Sequence, residues 1–209
     1  MARARPSAEL PPAEALPAGT LEVLLRLVAR SPARLGAGRL VCVDGPSGSG
    51  KTTAAAALAR ALAAASHDVV ELHMDDQYDG WDGLGAAPGR VARDVVEPLA
   101  DGRAGRYRRY DWYAGAFAEE HEVAAVGPRG VVVLEGVGSG AAPLAAYRSV
   151  LVWVEAPAAL RLRRGIERDG EAAAEHLRAW SRAETVHFGA HGTRAAADVR
   201  LDAHGRVVR

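Results

Sequence analysis

Val41-Cys42-Val43-Asp44-Gly45-Pro46-Ser47-Gly48-Ser49-Gly50-Lys51-Thr52-Thr53 is the stretch around which the rest of the chain is organised. A short apolar run leads in, a glycine-rich turn occupies the middle, and an alanine-rich segment of helical character leads out. Gly45, Gly50, Lys51 and Thr52 have the spacing of a phosphate-binding loop, two glycines five apart followed by Lys and Thr. Glycines at positions 48 and 50 let backbone N–H groups turn inward with no Cβ in the way. With the N-terminus of the following helix, the residues Gly45, Pro46, Ser47, Gly48, Ser49, Gly50, Lys51, Thr52 and Thr53 make an anion site. Lys51 brings a mobile positive charge for β- and γ-phosphates, and the Thr52 hydroxyl can ligate Mg²⁺. Lys51 is also the only lysine among the 209 residues. Arginine's wide planar fork does not replace a compact ammonium inside so tight a loop.

Length and composition set the frame. The 209 residues suit a single domain over 20–209, with the Pro- and Ala-rich residues 1–19 read as a flexible arm. Zero formal net charge and a pI near 7.1 argue against a general nucleic-acid or membrane-surface binder. Cys42 is the only cysteine, which excludes an intrachain disulfide and suits a buried structural thiol. No apolar run approaches the roughly 18 residues needed to cross a bilayer. Residues 1–19 lack the apolar core of a secretory signal, so a cytoplasmic location is expected.

From the loop outward, strands alternate with helices. Thr20 reads as the N-cap of a first helix, residues 40–43 as a buried strand, and residues 50–65 as a helix. Residues 69–72 form a second strand running into Asp75, Asp76, Tyr78, Asp79, Trp81 and Asp82, where open α/β sheets place their ligands. A helix follows over 91–99, then the aromatic and charged run 106–113, then a short strand over 123–126. Residues 131–135 read as a buried strand with the Glu135 carboxylate at its C-terminal end, the position of an acid that holds Mg²⁺. After a strand at 150–154, Pro157 opens a helix carrying Arg161, Arg164 and Arg168 on one face, a lid for transferring phosphates. A long helix over 171–188 and a terminal strand or hairpin complete the pattern. The expected fold is three-layer α/β, a mainly parallel sheet between helices with a helical lid.

These residues resemble the uridine kinase branch of the P-loop nucleoside/nucleotide kinases. The likeness runs over 40–169 and rests on four features in order. They are the loop 45–53, the Met-Asp-x-x-Tyr of Met74, Asp75 and Tyr78, the Tyr-Asp-aromatic of Tyr110, Asp111 and Trp112, and the arginine helix. The resemblance implies phosphoryl transfer from ATP or GTP, with Mg²⁺, to a small-molecule hydroxyl. Asp75 would take the proton of a nucleoside 5′-hydroxyl, with Asp76 the second choice. Tyr78, Tyr110 and Trp112 would line the nucleoside pocket. Glu135 and Thr52 would organise the metal, while Lys51 and Arg164 would act on the transferring group beside Arg161 and Arg168. The chain departs from the branch in following Trp112 with Tyr113-Ala114-Gly115-Ala116 rather than a histidine. Three readings stay open at this point: a nucleoside kinase, a nucleotide or other small-molecule kinase that uses Arg106, Arg108 and Arg109 for a phosphate, and a nucleotide-binding regulatory protein.

Overall fold

The computed structural model describes residues 16–208. Six strands form one sheet in the order β2-β5-β1-β6-β7-β8. They are β1 (Arg39–Asp44), β2 (Asp68–His73), β5 (Gly130–Glu135), β6 (Arg148–Val154), β7 (Val199–Leu201) and β8 (Val207–Val208). The first five run parallel and only β8 is antiparallel, to β7. Helix α2 (Lys51–Ala64) carries the chain from β1 over β5 to β2 at the sheet edge.

Both faces of the sheet are covered, which is why its strands read as unbroken apolar runs. Alternate residues serve opposite layers. Val41, Val43, Val131, Val133, Val150 and Val152 pack with Leu24 and Val28 of α1 (Ala18–Arg30) and with Leu58 and Leu62 of α2. Leu40, Cys42, Val132, Leu134 and Leu151 face Val91, Val95 and Leu99 on the other side. Those last residues lie on a continuous helical run: α3 (Ala87–Val91), a π-helical turn (Ala92–Val96) and α4 (Glu97–Ala100). Cys42 is fully buried and burial pushes its thiol pKa far up, so the expected structural role holds.

The N-terminal boundary differs from the expectation. Pro17, not Thr20, occupies the N-cap position of α1, and Thr20 is buried within the helix. Leu16 packs into the core, close to the Gly205 turn, so residues 16–19 belong to the fold. Residues 1–15 of the expected arm lie outside the described residues.

The middle of the chain differs more. The run 106–113 is largely a strand, β3 (Gly105–Asp111), paired antiparallel with β4 (Ala116–Val123) as a separate hairpin. The expected strand at 123–126 is therefore only the end of β4. Asp111 makes the turn: its side chain accepts from the amides of Tyr113 and Ala114, and Gly115 takes φ +65°.

Helix α5 (Ala158–Asp169) joins α6 (Ala174–His191) through a short 3₁₀ turn (Glu171–Ala173). No helix of the described residues is long and apolar enough to cross a membrane.

His187 of α6 is buried against Gly138, and its Nε2 has no hydrogen-bond partner among the described residues. Burial first, then the charge of His191, lowers its pKa to about 4 from 6.5. The folded chain therefore keeps this imidazole neutral where the unfolded chain takes up a proton. His187 contributes stability above about pH 6.5 that is lost as pH falls to about 4. Asp44 acts in the opposite sense between 3.8 and about 6, so the test is a difference. Urea unfolding of His187→Phe and the wild type at pH 7 and pH 4.5 should show a smaller acid loss in the variant; equal losses would refute the assignment.

Candidate active site

The loop between β1 and α2 has the backbone its glycines predict. Gly48 and Gly50 sit at φ +76° and +104°, and Gly50 is the N-cap of α2. A Cβ on Gly45 would come within 2.1 Å of the Val154 carbonyl, so the loop leaves the sheet where no other residue fits. No side chain caps α2 and no acid lies in its first turn. Its leading N–H groups and the buried Lys51 are thus available to an anion, and the site fits a polyphosphate.

Adjacent parallel strands bring the metal candidates together. Val43 of β1 stands in register with Glu135 of β5. The Thr52 hydroxyl donates to Glu135 Oε2 at 3.2 Å. Two protein oxygens suit Mg²⁺, which takes one or two from the protein and the rest from phosphate and water. No group of three or more His, Cys, Asp or Glu that could hold a metal is found among the described residues. Glu135 Oε1 is 2.8 Å from His73 Nδ1 at the end of β2. That hydrogen bond is the largest reason the His73 pKa rises to about 9.

Asp44 joins the candidate site as a residue that the sequence reading passed over. It is fully buried where β1 meets the loop. Oδ1 accepts from the amides of Gly45 (2.7 Å) and Gly138 (3.0 Å), and Oδ2 from that of Gly140 (2.8 Å). Burial raises its pKa to about 6, against the pull of those amides and of Lys51. An aspartate directly before the first glycine of the loop was the available signal.

The acceptor side is built on a 3₁₀ turn (Met74–Asp76) just past β2. It places Asp75 at the sheet's C-terminal edge, with the Trp112 indole donating to its backbone carbonyl at 3.1 Å. Asp76 lies beside it, its pKa raised mainly by burial. Trp81 and Trp112 meet edge to face at 5.5 Å and are 39% and 44% exposed, so they form an open aromatic wall. Trp81 also stacks on His176 at 5.3 Å, and Tyr110 packs edge-on to Trp112. Trp81 and His176 join the expected site residues.

Two expectations need correction here. Tyr78 does not line a pocket: it is 2% exposed, and its hydroxyl donates to the Val137 carbonyl. The 3₁₀ turn rotates its ring into the core, against Trp180. Tyr110 is likewise largely buried, packed between Trp112 and Phe117 behind the wall.

The arginine helix also behaves differently from a row of phosphate ligands. Arg161 donates to the carbonyls of Ala156 (3.2 Å) and Ser47 (3.5 Å). Arg164 donates to those of Gly48 (3.1 Å), Ser49 (3.5 Å) and Ala203 (3.4 Å). Both brace the loop's outer, carbonyl-bearing wall, because α5 lies directly against Gly48. The charge of Arg168 reaches Asp75 and Glu135, while it forks onto Asp169. Arg106 and Arg109 pair with Glu122 and Glu119, and Arg108 donates to the carbonyls of Phe117 and Ala118. These three guanidinium groups are committed within the hairpin, contrary to a phosphate-receiving role.

No family model and no curated protein matches the chain. Solved structures do. A candidate uridine kinase from Bacillus stearothermophilus is similar at 19% identity and a TM-score of 0.63, over 88% of this chain and 98% of that one. A candidate fructose transport system kinase from Silicibacter sp. TM1040 is similar at 24% and 0.58, over 80% and 94%. D-glycerate 3-kinase from Cryptococcus neoformans is similar at 12% and 0.57, over 91% and 97%. The chain has the fold of the uridine kinase-like P-loop kinases.

Proposed function

We propose that this chain transfers the terminal phosphoryl group of ATP to a hydroxyl of a small molecule. The observation that carries this reading is the uncapped N-terminus of α2 with Lys51, set beside the Thr52–Glu135 pair at the same C-terminal edge of the sheet as Asp75. Bound ATP would supply the phosphoryl group, with Mg²⁺ shielding its charge. The loop amides and Lys51 hold the β- and γ-phosphates, and Thr52 and Glu135 hold the metal. Asp75 orients the acceptor hydroxyl and takes its proton as the new oxygen–phosphorus bond forms and the bond to the β-phosphate oxygen breaks. Arg168 offsets charge between the two carboxylates. Most of the rate enhancement in such chemistry comes from positioning and electrostatics.

A nucleoside is the acceptor we favour. Trp81 and Trp112 present a wall on which a base can stack beside Asp75. Asp75, Asp76, Asp79 and Asp82 repel a phosphorylated acceptor, and Arg106, Arg108 and Arg109 are paired within the hairpin rather than turned to one. A sugar or hydroxy acid is the second reading, since the same indole faces can cover a ring's C–H surface.

A screen of ATP consumption across nucleosides, nucleotides, sugars and hydroxy acids separates these readings. Nucleotide binding with no acceptor-stimulated turnover would instead indicate a regulatory protein. With the best acceptor, Asp75→Asn should cut turnover by about 10²–10⁴-fold and leave ATP affinity within a few-fold. Turnover preserved within a few-fold would remove Asp75 as the base. Lys51→Ala should weaken ATP binding and turnover together, whichever acceptor is used; unchanged ATP affinity by calorimetry would contradict the loop assignment.

A further inference from the structure

Ser47, at the tip of the phosphate loop, has all of its polar groups engaged by the two helices that follow β6. Its N–H donates to Glu184 Oε1 at 2.7 Å, its Oγ accepts from the Trp180 indole at 3.0 Å, and its carbonyl accepts from Arg161 at 3.5 Å. Glu184 and Trp180 lie one turn apart on α6, and are 1% and 6% exposed. Glu184 Oε2 has no hydrogen-bond partner among the described residues and lies 3.6 Å from Arg161. A buried carboxylate so poorly satisfied is costly where an apolar side chain would pack α6 equally well. What the carboxylate adds is an acceptor for one loop amide and an ion-pair partner for Arg161, which braces the same loop.

The other face of Trp180 meets the acceptor side. Its ring is edge-on to Tyr78 at 4.9 Å and to Trp81 at 5.9 Å. Trp81 touches Trp112, which holds the Asp75 carbonyl. Three indole rings thus run without a gap from the loop tip to the acid proposed as base.

We propose that Trp180 and Glu184 are positioning residues that fix the phosphate loop at Ser47 and couple its nucleotide affinity to the aromatic wall of the acceptor cleft. This rests on the nucleotide-binding reading above. Packing that shifts Trp81 moves Trp180, and through it Ser47. The coupling is reciprocal, so nucleotide in the loop sets the wall for an acceptor.

The test is calorimetric titration of the full chain with ADP and Mg²⁺, with no acceptor present. Ser47→Ala and Trp180→Phe should each weaken ADP by about three- to tenfold. The double variant should be no weaker than the worse single within about twofold, because both remove one interaction. A double loss equal to the product of the singles would overturn the role of Trp180. Trp81→Ala should weaken ADP by about two- to fivefold, and because Trp81 also stacks on His176 of the same helix, that loss should vanish in the Trp180→Phe background if Trp180 carries it. Unchanged affinity in that variant would overturn the link to the acceptor cleft. If Trp180→Phe fails to fold, Glu184 carries the test. Glu184→Ala should lose about tenfold, and Glu184→Gln, which keeps an acceptor oxygen, should stay within about threefold. A Gln variant as weak as Ala would overturn the positioning role. A wild-type chain that binds no ADP would refute the nucleotide reading itself, whereas tight wild-type binding with multiplicative losses refutes only the coupling.

Discussion

The Asp44 carboxylate holds the site together. It ends β1, and it accepts amides both from the phosphate loop and from the segment after β5. Neighbouring parallel strands bring those two segments to one edge of the sheet, but strand pairing stops at Val43 and Glu135. Beyond that point Asp44, the bond from the Gly136 amide to the Val43 carbonyl and the Thr52–Glu135 bond join the segments. Three aligned N–H groups let a buried charge persist near neutral pH despite a pKa raised to about 6. Thr52 and Glu135 meet at this junction, and the metal and phosphate chemistry proposed here depends on that meeting.

A second layer of order comes from α5 and α6. They hold the loop from outside, through its carbonyls and through Ser47, and leave its inner amides open. The loop is therefore preformed rather than wrapped by its ligand, which lowers the ordering cost of binding. Arg168 lies at the far end of α5, on the acceptor side, so one helix touches both halves of the proposed reaction.

The phosphate loop, the central strands and the carboxylate at Glu135 were legible because their signals are local: glycine spacing, apolar runs, one acid at a strand end. The pairing of Trp180 and Glu184 with Ser47 was not. These partners lie 133 and 137 residues away, and no window of sequence brings them together. The spacing of Arg161, Arg164 and Arg168 gave their shared face correctly. It said nothing about whether that face meets phosphates or loop carbonyls, which depends on how α5 seats against Gly48. Tyr78 illustrates the same limit, since a motif tyrosine can point either way out of a 3₁₀ turn. The hairpin was missed because its alternation of aromatic and charged residues resembles a binding loop as much as a two-sided ribbon.

Lys51 has a chemical consequence outside catalysis. It is the sole lysine of the sequence, and it lies buried at the start of α2, under the glycine-rich loop. Any side-chain acylation or carbamylation of lysine in these 209 residues must fall on it. Apart from the N-terminal amine, an amine-directed reagent thus becomes a footprint of one side chain, which an anion bound in the loop would shield.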